Sequence, residues 1–299
     1  MTLSIAGLYV DVAVDTAVVE ALPNLQPFVV SDSEDDSPIC QVRTGQEVTG
    51  EDIPSTLSSH ADEKTIQVWL KPDVCKLSLY NARSGQTYWL QADRQWQQVL
   101  TDWTPSGAES FASLNDLIMI AFVYRSAFYQ AVTVHASAVA VKDEGCVFVG
   151  PSGIGKSTHS RLWLQHVPGA RLLNDDQPVL RLHPDGSFRL YGSPWSGKTA
   201  CYCNEGVLLK ALFFMEQALE NQLTPLTGIE TFQQLMKATS LMGRDTVTFP
   251  AISSTQASVS GAIPAFRFQN RPTEEAVALS HQTFTDIVSL KNDDHCCRF

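Results

Sequence analysis

The sequence predicts an α/β protein in which a smaller β-rich domain precedes a larger domain of alternating strands and helices. Three observations support this fold class. Apolar and polar residues alternate over much of the first hundred residues, which is typical of half-buried strands. From Thr133 onward the pattern changes to strand, turn, helix and strand. In that second part a glycine-rich loop, residues 150–157, stands between an apolar strand and a helix.

The composition is ordinary for a folded soluble protein. The 299 residues, 44% hydrophobic and 18% charged, are enough for two domains. The net charge of −11 repels polyanions, so neither nucleic acid nor a membrane surface is an expected partner. Met1–Ile5 has no features of a signal peptide, and the longest apolar run, Leu117–Tyr124, is too short to span a bilayer. Seven cysteines without a regular framework indicate reduced thiols, and we therefore expect a cytoplasmic protein.

The predicted N-terminal domain covers residues 1–105 and consists of short strands. Their alternating pattern and the Ser84-Gly85 turn signal favour a small antiparallel sheet. The acidic run Ser31–Asp36 could bind a cation, but a solvated loop is the preferred interpretation. The predicted strands include Leu8–Val14, Ile66–Leu70 and Tyr88–Leu90.

The domain boundary is predicted near residue 105, because Thr104–Gly107 interrupts the strand pattern. A cap-like Ser113-x-x-Asp116 follows and predicts a helix that reaches about Tyr129. This helix is expected to lead into the second domain, residues 106–299. The other elements predicted there are strands near residues 134–141, 146–149, 171–173, 179–182, 188–190 and 207–215, and helices after residue 156, from residue 227 and at about 273–290.

Residues Gly150–Ser157 form a complete P-loop, or Walker A motif. The glycines permit a tight loop whose backbone N–H groups converge on a phosphate. Lys156 is placed to reach the β- and γ-phosphates of ATP, and Ser157 to ligate Mg²⁺. The alternative is a chance match, which the buried strand before the loop and the helix after it oppose. The predicted nucleotide-binding residues are Gly150, Ser152, Gly153, Ile154, Gly155, Lys156, Ser157 and Thr158.

A pair of carboxylates, Asp175 and Asp176, follows Asn174 at the end of a short apolar strand. Phosphoryl transfer uses carboxylates at such a position, because one holds the metal and another accepts the proton of the attacking hydroxyl. The alternative is an aspartate-rich turn that only caps a strand. A P-loop in the same domain favours the catalytic interpretation.

Three segments together resemble the kinase domain of HPr kinase/phosphorylase and its relatives with the phosphoenolpyruvate-carboxykinase-type nucleotide fold. They are Val134–Val139, Gly150–Thr158 and Leu173–Asp176, and the resemblance covers roughly residues 130 to 290. It implies a P-loop in a mixed β-sheet. It also implies that Asp175 is the catalytic base and that Asp176 is the metal-side carboxylate. His135 matches the histidine before the P-loop strand in that family, which implies a role at the phosphates; a hydrogen-bonded core histidine is the alternative.

A second loop, Gly192–Lys198, combines two glycines, a proline and a lysine after a strand. Lys198 could contact the transferred phosphate or an acidic substrate, and Trp195 could pack over a ligand. The alternative is an ordinary hairpin with an exposed lysine. HPr kinases carry a different segment here, which argues against HPr as the substrate.

These features predict a kinase that uses ATP and Mg²⁺ and phosphorylates a hydroxyl. The acceptor would be a serine of a protein or peptide, or a small-molecule alcohol, and the β-rich domain would position the acceptor or another subunit of a homo-oligomer. The predicted catalytic residues are Lys156, Asp175, His135 and Lys198, and the predicted metal ligands are Ser157 and Asp176. Two alternatives are a carboxykinase-like lyase and a non-catalytic nucleotide-binding module.

Overall fold

The computed structural model describes residues 1–31, 37–61, 63–197, 199–239 and 242–296. Most of the acidic run, residues 32–36, and Lys198 therefore lie outside the described residues. The chain forms two compact units. The first comprises Met1–Tyr129 and Met242–Ala251, and the second comprises Gln130–Leu241 and Ile252–Phe299.

The first unit is built on a mixed sheet, in which the described residues form nine strands in the order β3-β1-β2-β4-β9-β8-β7-β6-β5. The sheet is therefore larger than the small antiparallel sheet that the sequence predicts, and it is mixed. Strand β4 pairs in parallel with both β2 and β9, while the remaining pairs are antiparallel. The elements are β1 (Thr2–Ile5), β2 (Leu8–Ala13), α1 (Thr16–Ala21), β3 (Val29–Val30), β4 (Cys40–Arg43), β5 (Leu57–Ala61), β6 (Lys64–Leu70), β7 (Val74–Asn81), β8 (Gln86–Asp93), β9 (Gln98–Thr101) and α2 (Ala108–Ser126).

Helix α2 belongs to the first unit, so the division of the chain lies at Tyr129–Gln130 and not near residue 105. The physical reason is packing, because α2 contacts β2, β4 and β7. Arg125 near its end donates to the backbone carbonyls of Ile39, at 2.6 Å, and Gln95, at 3.0 Å. The helix also begins earlier than the Ser113 cap predicts, directly after Gly107.

The stretch Ala108–Tyr129 is, within the described residues, the one helix long and apolar enough to cross a membrane by length and composition. The apolar run Leu117–Tyr124, which by itself is too short to span a bilayer, lies inside this helix. However, 67% of the most apolar part of this helix is buried inside the protein. A core helix of a soluble protein satisfies the same criterion, so this property is weak evidence for a membrane span.

The second unit contains another mixed sheet, which runs β10-β14-β15-β16-β12-β11-β13 over the described residues, with β18 also paired to β16 and β17. Strands β12, β16 and β18 are parallel, and the other pairs are antiparallel. The strands are β10 (Ala131–Thr133), β11 (Ala136–Val141), β12 (Glu144–Val149), β13 (Ala170–Asn174), β14 (Val179–Leu182), β15 (Phe188–Tyr191), β16 (Gly206–Gln217), β17 (Gln222–Pro225) and β18 (Ala265–Asn270). The helices are α3 (Lys156–His166), α4 (Gly228–Lys237), α5 (Thr248–Ala262), whose first residues belong to the first unit, and α6 (Glu274–Cys296).

An aromatic cluster holds α3 and α6 against this sheet. Phe148 on β12 stacks on Phe213 of β16 with ring centroids 5.5 Å apart, and Trp163 of α3 meets Phe148 edge-on at 5.7 Å. Phe268 on β18 is fully buried in the same core. Because buried aromatic residues contribute large apolar areas, this core fixes the direction in which α3 leaves the P-loop.

Candidate functional site

The P-loop joins the end of β12 at Val149 to the start of α3 at Lys156, as the sequence predicts. Gly153 and Gly155 have φ angles of 79° and 111°, in the left-handed region that favours glycine. A buried hydrogen bond of 2.7 Å between the hydroxyls of Ser137 on β11 and Ser160 on α3 attaches the helix to the sheet. The N-terminus of α3, with its free N–H groups and positive dipole end, is therefore presented by a loop of the shape that binds phosphate.

The ammonium group of Lys156 lies at the first half of this loop. Its Nζ donates to the carbonyl oxygens of Gly150, at 2.8 Å, and Pro151, at 3.1 Å. Burial lowers the pKa of Lys156 from its usual range, and the nearby charges of Asp176 and Asp175 oppose that shift. The start of the P-loop also lies next to the carboxylate turn, because Val149 pairs with Ala136, whose N–H donates to the Asp176 carbonyl.

Asn174 organises the turn that carries these carboxylates. Its side-chain oxygen accepts from the backbone N–H of Asp176, at 2.8 Å, and of Gln177, at 2.7 Å. Asp175 is buried, and its Oδ1 has no hydrogen-bond partner among the described residues. A buried carboxylate oxygen without a partner is costly, so the geometry fits a donor or cation at this point. The role of Asn174 had no separate signal in the sequence, because it depends on a strand end and a loop that are distant along the chain.

Asp176 is held from two sides by the start of β11. His135 Nδ1 lies 2.9 Å from Asp176 Oδ1, and the backbone N–H of Ala136 donates to the Asp176 carbonyl at 3.0 Å. Both side chains of the His135–Asp176 pair are about one-third exposed. His135 is therefore neither a core histidine nor an isolated surface one, and its ring reaches the carboxylate turn.

The loop that begins at Gly192 packs directly on this turn. The side-chain amide of Asn174 donates to Ser193 O, at 3.2 Å, Ser193 Oγ, at 3.1 Å, and Trp195 O, at 3.1 Å. A Cβ placed on Gly197 would lie 3.0 Å from the backbone oxygen of Asp175. Trp195 is buried and does not lie open over a cavity. The loop thus adjoins the carboxylates, and Lys198, whose contact with a phosphate or acidic substrate stays a prediction, lies outside the described residues.

Two cavities border the P-loop. The α4 cavity has a volume of about 530 Å³ and is lined by Gly150, Pro151, His135 and residues of β16, α4 and β18. The α3 cavity, of about 390 Å³, is lined by Gly153, Gly155, Thr158 and the segments after β16 and β18. Sequence reasoning missed Lys237 and did not decide on Arg267, both of which line the α4 cavity, because single basic residues outside a motif give no signal.

The predicted metal ligands are oxygen donors of the kind that magnesium takes. Within the part of the chain that the structure describes, no group of three or more His, Cys, Asp and Glu side chains is placed to hold a metal ion. Mg²⁺ usually takes one or two carboxylates together with phosphate oxygens and water. Ser157 in the first turn of α3 and the carboxylates of Asp175 and Asp176 supply that kind of incomplete protein set.

Comparison with known proteins adds little to this description. No family model matches the chain, and no curated protein matches it in sequence. Among solved structures the chain is similar to the Hpr(Ser) kinase/phosphatase from Coxiella burnetii, with 12% sequence identity and a TM-score of 0.33. The similarity covers 54% of this chain and 98% of that one. At this level it carries no argument for function, which must rest on the residues of the site.

Proposed function

We propose that this protein is a kinase that uses Mg²⁺ and ATP to phosphorylate a hydroxyl group. One observation carries the proposal: the P-loop and the Asp175–Asp176 turn lie at the same edge of the sheet, because Ala136 pairs with Val149 at the start of the P-loop and donates to the Asp176 carbonyl. A phosphate cradle beside paired carboxylates is the arrangement that phosphoryl transfer requires, since it combines charge neutralisation with a proton acceptor.

In this proposal the P-loop binds the nucleotide. The backbone N–H groups of residues 152–158 hold the phosphates, and Lys156 neutralises charge on the β- and γ-phosphates. Ser157 and Asp176 hold Mg²⁺, which supplies further positive charge to the transferred phosphoryl group. Asn174 keeps both aspartates in place through its two hydrogen bonds to the turn.

Asp175 accepts the proton of the acceptor hydroxyl as the hydroxyl oxygen attacks the γ-phosphorus and ADP leaves. Its unpartnered buried oxygen supports this role, because a hydroxyl donor would satisfy it. His135 orients Asp176 through the 2.9 Å contact. Lys198, at the end of the Gly192 loop, contacts the transferred phosphate or the acceptor.

The acceptor belongs to the class of proteins, peptides or small molecules that carry a free hydroxyl, and the proposed compartment is the cytoplasm. The five described cysteines outside α6, Cys40, Cys75, Cys146, Cys201 and Cys203, are free thiols, in keeping with a reducing environment. A homo-oligomer is a further proposal that only a measurement of molecular mass in solution can test.

The test is to incubate the full chain with ATP labelled at the γ-phosphate and a cell extract, and to identify the molecule that acquires the label. Lys156→Ala and Asp175→Asn serve as controls, since neither should transfer label. Label on a hydroxyl-bearing product supports the kinase. ATP binding without transfer to any component would leave only a nucleotide-binding module, and release of carbon dioxide from oxaloacetate would indicate the lyase.

A further inference from the structure

The α4 cavity lies at the end of the P-loop where the terminal phosphate is expected. Gly150 and Pro151 line it, and their carbonyl oxygens are the groups that hold the ammonium of Lys156. Because a P-loop lysine binds the β- and γ-phosphates, the phosphate chain ends on this side. Thr158 and His159 of α3 line the α3 cavity instead, so we expect the nucleoside end of the ligand on that side.

The same cavity also reaches the carboxylate turn. His135 is part of its lining, and His135 is hydrogen-bonded to Asp176. A molecule in the α4 cavity would therefore lie beside the first half of the P-loop and beside His135, which contacts the proposed metal ligand Asp176. An acceptor must occupy a place next to the transferred phosphate, and this cavity adjoins the P-loop there.

Charge distinguishes this cavity from the rest of the chain. Its lining contains Lys237 of α4 and Arg267 of β18, and one carboxylate, Glu216 of β16. Arg267 Nε is 3.4 Å from Glu216 Oε1, and both side chains are nearly half exposed, so this ion pair is weak. Lys237 forms no ion pair with any residue that the structure describes. In a protein with a net charge of −11, such a local excess of cations favours an anionic ligand.

The walls between these charges are apolar. Phe214, Met215 and Leu226 contribute to them, and Gln234 supplies a neutral polar group. A volume of about 530 Å³ lies in the range of small-molecule sites, which combine apolar walls with a few polar groups that fix orientation. The cavity is thus suited to a compact organic molecule.

We propose that the α4 cavity is the acceptor site and that the acceptor is a small hydroxylated organic acid or phosphate ester, held by Lys237 and Arg267. This inference rests on the proposed kinase function and narrows its acceptor class. The competing explanation for Lys237 is that it only complements the dipole at the C-terminus of α4, where it occupies the last turn. The two explanations differ in whether removal of this charge affects a bound anion.

Calorimetry on the full chain tests the proposal with probes matched for shape and different in charge. Mandelate is compared with 1-phenyl-1,2-ethanediol, and glycerate with glycerol, each with and without saturating Mg–ADP. In the wild-type protein the anion of each pair should bind about tenfold more tightly than its neutral counterpart. Lys237→Gln should remove most of that preference and leave Mg–ADP affinity unchanged. Lys142→Gln is the matched control, because Lys142 is an exposed lysine in the turn between β11 and β12.

Each other outcome overturns the proposal. Equal binding within each pair, or no binding of either anion, contradicts an anionic acceptor. If Lys237→Gln binds the anions as selectively as the wild type does, Lys237 only complements the dipole of α4. If the variant loses affinity for Mg–ADP alone, Lys237 binds the nucleotide and not the acceptor. Binding of a glutamate-flanked serine peptide in place of the small anions would contradict the small-molecule class. Since the measurement requires no transfer, it remains informative if Lys156→Ala shows that the kinase proposal is wrong.

Discussion

His135 Nδ1 lies 2.9 Å from Asp176 Oδ1, and this contact joins the start of β11 to the end of β13. It places an imidazole on one of the two adjacent carboxylates, while Asp175 is buried and keeps an oxygen without a partner among the described residues. Two aspartates that are neighbours in the sequence therefore have different environments. Different environments allow different roles in one reaction.

The first prediction separates those roles. Asp175→Asn should keep the affinity for Mg–ATP and lose phosphoryl transfer, because the base acts only on the acceptor. Asp176→Asn should weaken the Mg²⁺-dependent part of nucleotide binding. Calorimetry with and without Mg²⁺, together with a transfer assay, measures both effects. If the two variants behave alike in both assays, the assigned roles are wrong.

The second prediction concerns the P-loop cation. Lys156→Ala should weaken ATP binding at least tenfold, a loss of about 1.4 kcal/mol or more, since the buried ammonium that neutralises the phosphates is removed. The matched control is Lys142→Ala, which removes an exposed lysine of the same unit. Calorimetry measures the affinity, and circular dichroism verifies the fold. Unchanged affinity in a folded variant would contradict the nucleotide assignment.

The third prediction separates the two hydrogen-bonding groups of the Asn174 side chain, the oxygen that accepts and the NH2 group that donates. Asn174→Asp retains the acceptor oxygen that holds the Asp176 turn and loses the donors to Ser193 and Trp195. We expect Mg–ADP affinity within about twofold of wild type and a transfer rate reduced roughly tenfold, because each lost hydrogen bond contributes about 1 kcal/mol. Asn81→Asp is the control, since Asn81 is also buried and bonded through both amide atoms, in the first unit. Equal loss of transfer in both variants would indicate a general loss of stability.

The fourth prediction concerns pH and His159. His159 Nε2 lies 3.1 Å from Ser280 Oγ, the same hydroxyl oxygen that accepts from Trp163 Nε1 at 2.9 Å. Burial lowers the pKa of His159 from 6.5 to about 4. The unfolded chain therefore binds an additional proton between these two pH values. Stability should fall as the pH is lowered from 6.5 to 4, by on the order of 3 kcal/mol.

Hydrogen exchange of the α3 amides, corrected for the intrinsic effect of pH on exchange, measures this free energy. In His159→Gln the stability should depend less on pH between 4 and 6.5, because glutamine does not titrate at this position. A wild-type profile without a slope between pH 4 and 6.5 would show that His159 is not buried in its neutral form.

The fifth prediction concerns Lys198, which lies outside the described residues. The adjacent Gly197 packs against the backbone of Asp175, so the loop enters the site. If Lys198 contacts the transferred phosphate or the acceptor, Lys198→Ala should reduce kcat/KM by roughly 10- to 150-fold and leave ATP affinity unchanged. Steady-state kinetics with the identified acceptor gives the answer. If Lys198→Ala has wild-type rates, Lys198 has no role in transfer. If the variant loses only ATP affinity, Lys198 binds the nucleotide.

The fold could be predicted in part. The strand and helix around the P-loop and the helix predicted from residue 227, which begins with a capping box of Thr227 and Glu230, were correct, because each depends on residues close together in the sequence. The parallel pairing of β4 with β2 and β9 and the helix α5 were not predicted. Pairing partners are distant along the chain, and α5 is rich in serine and alanine without a clear apolar period. The boundary prediction differs from the division at Tyr129, since the turn residues at 104–107 mark the start of α2 and not the end of its unit.

The site was likewise predictable where it depends on neighbouring residues and unpredictable where it depends on residues far apart in the sequence. Sequence motifs indicated Lys156, Asp175 and Asp176, because each of these residues belongs to a short run of neighbouring residues with a recognisable pattern. The contacts of Asn174 with Ser193 and of His135 with Asp176 needed the sheet order, which places β11 beside β13. Lys237 lies on α4 and Arg267 on β18, and both line the α4 cavity. No sequence motif connects these two residues.

The parallel strands β12, β16 and β18 have a consequence for how the protein is made. Their ends supply the P-loop, the Gln217 segment and the Asn270 segment, which together border the α3 cavity although they are far apart in the sequence. During synthesis the ribosome releases the P-loop long before β18 exists. A nascent chain therefore lacks part of the lining of this cavity until β18 has been made. Under the proposed function, nucleotide would bind the complete second unit more tightly than its unfinished forms and would stabilise it by an amount that grows with the logarithm of the nucleotide concentration.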